Sequence, residues 1–162
     1  MGSQVNETAA PVGFEIRPEH RLTVAAVTGA GSGMGRAIAC DLAEQGYRVV
    51  LIGRRADRLA ETAAMAPDRM LAAPTDMADA DAAAVALAKA EAALGPIDIA
   101  VASAAVYPRA YFLDQSAASF SDVMRANIDG VANLIRPVLP GMLERRLGRI
   151  VVIGTLADLN PI

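Results

Sequence analysis

The stretch TGAGSGMGRAI, residues 28–38, places Gly29, Gly31, Gly33 and Gly35 directly behind the apolar run LTVAAV (22–27). An apolar run followed by glycines and then by the helical pattern RAIACDLAEQG reads as strand, tight turn and helix. Glycines in such a turn let the backbone bend sharply and approach a ligand closely, and the free N–H groups of the helix start favour a phosphate. The strict G-x-G-x-x-G spacing is absent, because neither Gly29-Ala30-Gly31 nor Gly31-Ser32-Gly33 has a glycine or alanine three residues on. The spacing is T-G-x-x-x-G-x-G, carried by Thr28, Gly29, Gly33 and Gly35. Two readings of the turn stand: a cradle for a dinucleotide pyrophosphate, and a tight strand-to-helix connection that holds nothing. The strand before it and the helix after it favour the first.

Outward from this turn the alternation continues. YRVVLIG, ADRLAETAAM, RMLAAPT, DAAAVALAKAEAALG, IDIAVASA, a long helical region and GRIVVIG complete the order β-α-β-α-β-α-β-α-β. The strands are apolar throughout rather than alternating, as parallel strands covered by helices on both faces require. Gly46 and Gly95 stand where helices should end, and Asp79 is a candidate N-cap. Residues 1–20 carry Pro11 and Pro18 without sustained periodicity and are expected to form a flexible extension; residues 21–162 form one domain.

Composition narrows the function classes. With 54% hydrophobic residues, 162 residues suffice for one real core. A net charge of −3, with no basic run, argues against a nucleic-acid partner. No apolar run approaches the roughly 18 residues of a membrane span, and IAVASAAV (99–106) is of buried-strand length. Cys40 is the single cysteine, which excludes an internal disulfide and implies a reducing, cytoplasmic setting. No metal site is expected.

With these residues in place, the chain from about Leu22 to its last residue resembles the short-chain dehydrogenase/reductase family, in the branch that carries the T-G-x-x-x-G-x-G turn. Asp76 in PTDMAD, Asn127 in ANIDG and the fifth-strand pattern GRIVVIGT follow in family order. The resemblance implies a Rossmann-type doubly wound parallel α/β sheet of strand order 3-2-1-4-5. It also implies cofactor contacts from Thr28, Gly29, Ser32, Gly33, Met34 and Gly35 at the pyrophosphate, from Asp76 and Met77 beside the adenine, and from the backbone at Ala102 and Ala104. Asn127 would hold a water in a proton relay. Thr155 stands in the place of the family's serine, and its hydroxyl can still donate to a substrate carbonyl.

Cofactor choice is read at the end of the second strand, where an acidic residue would bind a ribose 2′-hydroxyl and a basic one a 2′-phosphate. VVLI is followed by Gly53-Arg54-Arg55. NADP(H) is therefore favoured over NAD(H), with Arg54 the stronger candidate and Arg55 beside it. The alternative is that both arginines are solvated residues opening a surface helix. Asn127 has two readings as well. It falls on an apolar stripe of Phe120, Val123, Met124, Val131, Leu134, Ile135 and Val138, so its amide needs a partner, which nearby backbone would also satisfy.

Three departures from the family follow. The N-N-A-G stretch is Ala102-Ser103-Ala104-Ala105; the serine is Thr155; and no tyrosine has a lysine four residues on. Leu51, Tyr111 and Gln115 lie four beyond Tyr47, Tyr107 and Tyr111, and Lys89 is the single lysine. The family spacing puts the tyrosine a few residues beyond Ile162, so the chain reads as cut short before its Tyr-x-x-x-Lys motif and the family's C-terminal strands. GRIVVIG is then expected as an exposed apolar edge. The favoured reading is an NADP(H)-dependent oxidoreductase of a small carbonyl or alcohol, a homo-oligomer at full length, with this chain as its cofactor-binding portion, inactive alone. The alternatives are a dinucleotide-binding module without catalysis and a fragment completed by a partner chain.

Overall fold

The computed structural model describes residues 23–108 and 110–154. The proposed N-terminal extension and Thr155 lie outside the described residues. The elements run β1 (Val24–Thr28), α1 (Gly33–Glu44), β2 (Arg48–Gly53), α2 (Ala56–Ala63), β3 (Met70–Pro74), α3 (Ala80–Leu94), β4 (Ile99–Ala102), α4 (Ala117–Met124), α5 (Gly130–Arg145) and β5 (Arg149–Val152). A π-helical segment, Arg125–Asp129, joins α4 to α5. All strand pairs are parallel, as the apolar pattern implied, and the order is β3-β2-β1-β4-β5, as the family resemblance implied.

The apolar run of β1 is explained by two cores. Val24 and Ala26 point to one face with Leu87 of α3 and Leu134 and Val138 of α5; Ala25 and Val27 point to the other with Ala39 of α1 and Leu59 of α2. Because successive strand residues alternate faces and both faces are covered, neither set can be polar. Each large aliphatic side chain so buried contributes about 1.5–3 kcal/mol. The cap at Asp79 is present, its carboxylate accepting from Ala82 N–H at 2.9 Å. Gly95 closes α3 as its C-cap, and Gly46 follows the end of α1.

Two expectations meet the structure differently. The idea that every strand is covered fails at β5, where Ile150, Val151 and Val152 are 40%, 42% and 54% exposed. Among the described residues β5 pairs with β4 alone, so the expected apolar edge is what stands there. The apolar stripe around Asn127 is likewise not continuous. Leu134 and Val138 are buried, whereas Phe120 and Met124 are 46% and 44% exposed. The π-helical segment adds a residue to one turn and rotates α4 out of phase with α5.

The end of the sheet away from the glycine turn is tied by Asp98. This buried carboxylate accepts from Thr23 N–H at 2.8 Å and lies 3.4 Å from the Arg145 guanidinium at the end of α5. It fixes the starts of β1 and β4 to one another.

Candidate functional site

β1 and β4 are neighbours although β2 and β3 lie between them in sequence, so the chain leaves β1 in one direction and β4 in the other. A crevice opens at the carboxyl ends of strands where the order reverses, which is where open α/β sheets bind ligands. A cleft of about 890 Å³ occupies this position. It is lined by the turn after β1 (Thr28, Gly29, Gly31, Ser32, Met34, Gly35), by Arg54 and Arg55 after β2, by Asp76 and Met77 after β3, and by Ser103 to Val106 after β4.

The turn is held in place by its own residues. Thr28 Oγ1 accepts from the N–H groups of Ser103 and Ala104, both at 3.0 Å, which draws the segment after β4 against the turn. Gly29 has φ +70°, and a Cβ there would stand 2.9 Å from Ala104 Cα. A Cβ on Gly35 would run into the Gly29 carbonyl. Gly29 and Gly35 are therefore required by close backbone approach, whereas Gly33 has open space around it and a φ of +54°. Ser32 is the N-cap of α1, yet its hydroxyl makes no cap bond and no acidic residue lies in the first turn. The starts of α3 and α4 differ, since Asp79 and Ser116 cap them. The positive end of α1 thus faces the cleft without an internal anion.

Charge around the cleft is mixed but ordered. Arg54 and Arg55 are exposed at its β2 side, and Arg55 reaches over the turn to Ser32 Oγ at 3.3 Å. No carboxylate from β2 accompanies them. Asp76 is folded onto its own loop, its carboxylate accepting from Ala78 N–H at 3.0 Å. Arg125 and Asp122, from the π-helical segment and α4, border the opposite wall. Nothing in the sequence pattern pointed to them.

The remaining candidates are placed as follows. Met77 borders the cleft, but its side chain is packed in the core with α3 and α5. Ala102, expected to contact a cofactor through its backbone, has its side chain buried in the same core and is not among the lining residues, whereas Ala104 is. Gly33, the first residue of α1, lies beside the lining residues rather than among them, with φ +54°. Asn127 is not part of the lining: its Nδ2 donates to the Val106 carbonyl at 2.9 Å and its Oδ1 accepts from Val106 N–H at 2.8 Å. Here the backbone-satisfied reading of this asparagine describes its amide. Lys89 is exposed on α3, away from the cleft.

Behind the turn lies a cluster without a sequence signal. Thr62 of α2, fully buried, donates through Oγ1 toward the Ala30 carbonyl at 3.0 Å and accepts from Arg36 Nε at 2.9 Å. Arg36 also donates to the Gly31 carbonyl at 2.7 Å and to Glu61 at 3.1 Å. Hydrogen bonds from Arg58 first, and then from Arg36, hold the Glu61 carboxyl below its ordinary range.

A parallel sheet with a glycine turn opening its first helix at the switch point defines the Rossmann-type α/β class. Within that class, the family model for short chain dehydrogenase matches residues 23–162. The chain belongs to the short-chain dehydrogenase/reductase family. It is 33% identical over 135 residues to an uncharacterized oxidoreductase of Staphylococcus aureus (strain MRSA252), an alignment covering 83% of this chain and 58% of that protein. Among solved structures it is similar to a short-chain dehydrogenase from Streptomyces avermitilis, with TM-score 0.79, 33% identity, and coverage of 83% of this chain and 50% of that one. It is also similar to a point variant of actinorhodin polyketide ketoreductase solved with NADPH, with TM-score 0.82, 29% identity, and coverage of 86% and 56%. The chain thus spans about half to three fifths of the length of these proteins.

Proposed function

We propose that this chain is the cofactor-binding portion of an NADP(H)-dependent oxidoreductase that acts on a small carbonyl or alcohol. The observation that carries the reading is the pair Arg54 and Arg55 at the end of β2, beside a glycine turn that a single Cβ would block. The residues fit the group. Uncapped N–H groups at the start of α1 suit a pyrophosphate, and a guanidinium suits a 2′-phosphate, to which it can donate two parallel hydrogen bonds. The structural similarity to a ketoreductase solved with NADPH supports the same choice.

In this reading Ser32, Met34 and Gly35 hold the pyrophosphate, Arg54 and Arg55 the 2′-phosphate, and Asp76 the adenine side. Ser103 to Val106, fixed by Thr28 and Asn127, form the wall along which the cofactor extends. NADPH supplies the hydride when bound. Thr155 is proposed as the hydroxyl beside the substrate, and Asn127 as the residue that keeps the neighbouring wall in place. A cytoplasmic setting and self-association of the full-length protein belong to this proposal; the single cysteine and the exposed apolar β5 support them.

The test is direct titration of the purified chain with NADPH and NADH. Arg54→Ala weakens NADPH binding by one to two orders of magnitude, about 1.5–3 kcal/mol, and spares NADH. Equal losses for both cofactors remove Arg54 from the 2′-phosphate site. A second reading, a dinucleotide-binding module without catalysis, is favoured by one observation: the single lysine, Lys89, stands on α3 rather than at the cleft. Carbonyl-dependent NADPH oxidation by the full-length protein decides between the two, since the 162-residue chain alone is expected to turn over no carbonyl in either reading.

A further inference from the structure

We infer that Thr62 and Arg36 are positioning residues for the nucleotide, acting from behind the turn. The inference rests on the dinucleotide reading above. In a trans peptide the carbonyl and the following N–H point in opposite directions. Thr62 Oγ1 takes the Ala30 carbonyl at 3.0 Å, which turns Gly31 N–H the other way. Arg36 takes the Gly31 carbonyl at 2.7 Å, which does the same to Ser32 N–H. Gly31 and Ser32 are the residues that line the cleft on that opposite side.

Among the described residues no backbone carbonyl takes either of these two N–H groups. Within the turn, Ala30 N–H is taken by the Ile52 carbonyl at 3.2 Å and Arg36 N–H by the Ser32 carbonyl at 3.2 Å, as α1 begins. Two glycines flank the pinned peptides, so the local backbone itself resists a peptide flip weakly. A flip would aim a carbonyl oxygen at the bound anion, replacing attraction by repulsion. The clamp is itself braced. Arg36 Nε donates to Thr62 Oγ1 at 2.9 Å, and Glu61, held also by Arg58 at 3.0 Å, fixes the Arg36 guanidinium from the far side. The Thr62 proton is shared between Ala30 and Arg58 carbonyls, both at 3.0 Å, so α2 and the turn move as one piece. Arg54 and Arg55 immediately precede α2. The pyrophosphate and 2′-phosphate contacts are thereby set by one rigid unit.

The experiment uses the full 162-residue chain with three probes: NADPH, NADH and adenosine 2′-monophosphate, which has no pyrophosphate. Thr62→Val keeps the shape and removes the hydroxyl. It is expected to weaken NADPH and NADH alike by about five- to tenfold, to leave adenosine 2′-monophosphate unchanged, and to be rescued by Thr62→Ser. Arg36→Ala, a substitution at a partly exposed side chain, gives the same pattern should Thr62→Val not fold. Asp98→Asn, at the other end of the sheet, lowers stability without this pattern. If wild-type chain binds NADPH and Thr62→Val and Arg36→Ala bind it equally well, or if all three probes weaken together, the positioning role is overturned. If the wild-type chain binds none of the three, the dinucleotide reading itself fails.

Discussion

Asn127 grips Val106 by both ends of its amide, donating to the carbonyl at 2.9 Å and accepting from the N–H at 2.8 Å, across 21 residues of sequence. The contact ties the π-helical segment to the wall of the cleft. Asn127→Ala leaves two partly buried backbone groups without partners, so the unfolding free energy should fall by about 1–3 kcal/mol. Urea denaturation measures this, and NADPH affinity should fall with it, because Val106 lines the cleft. An unchanged midpoint would show that Val106 is held by other means.

Gly35→Ala should be worse for binding than for folding. Its Cβ meets the Gly29 carbonyl, and the turn has to move away from the start of α1. NADPH affinity is expected to drop at least tenfold while circular dichroism remains that of an α/β fold. Retained affinity would mean that the turn's position is not what the nucleotide reads.

At the other end of the sheet, Asp98→Asn removes a charge that faces Arg145 at 3.4 Å while keeping an acceptor for Thr23 N–H. A loss of about 1–3 kcal/mol in stability is expected, with NADPH affinity unchanged. A change in affinity comparable to that of Gly35→Ala would contradict the separation of the two ends.

Glu61 supplies a pH dependence. Its carboxyl lies below the ordinary range because of the hydrogen bonds from Arg58 and Arg36, so its stabilising contribution is full above the unfolded value and is lost as pH falls through the folded one. Glu61→Gln should therefore lower Tm at pH 7, with the difference from wild type shrinking as pH drops through and below about 4.3. Because the Glu61 side chain is half exposed, the difference should also shrink in high salt. A gap that widens in acid would reverse the assignment.

What the sequence made legible was local. The order of strands and helices follows from apolar runs, the cap at Asp79 and the glycines at 46 and 95, all signals carried by adjacent residues. The glycine turn was legible for the same reason. Pairings that depend on the third dimension were not: Val106 as the partner of Asn127, Thr62 and Arg36 behind Ala30 and Gly31, and the burial of Ala102. The stripe from Phe120 to Val138 misled because a single inserted π turn breaks a 3.6-residue period without altering composition.

The central place of β1 has a consequence in time. Its turn is closed on one side by β2, made some twenty residues later, but on the other only by Ser103 and Ala104, whose N–H groups reach Thr28 across 75 and 76 residues. At a synthesis rate of about 5–20 residues per second, the chain emerges for roughly 4–15 s between the two halves of the crevice. During that interval the nascent polypeptide carries the turn beside an open edge of β1, and the arginines join it partway through, on the β2 side. The nucleotide pocket is complete only after the β4 segment arrives, which makes binding competence a late event in the birth of the molecule.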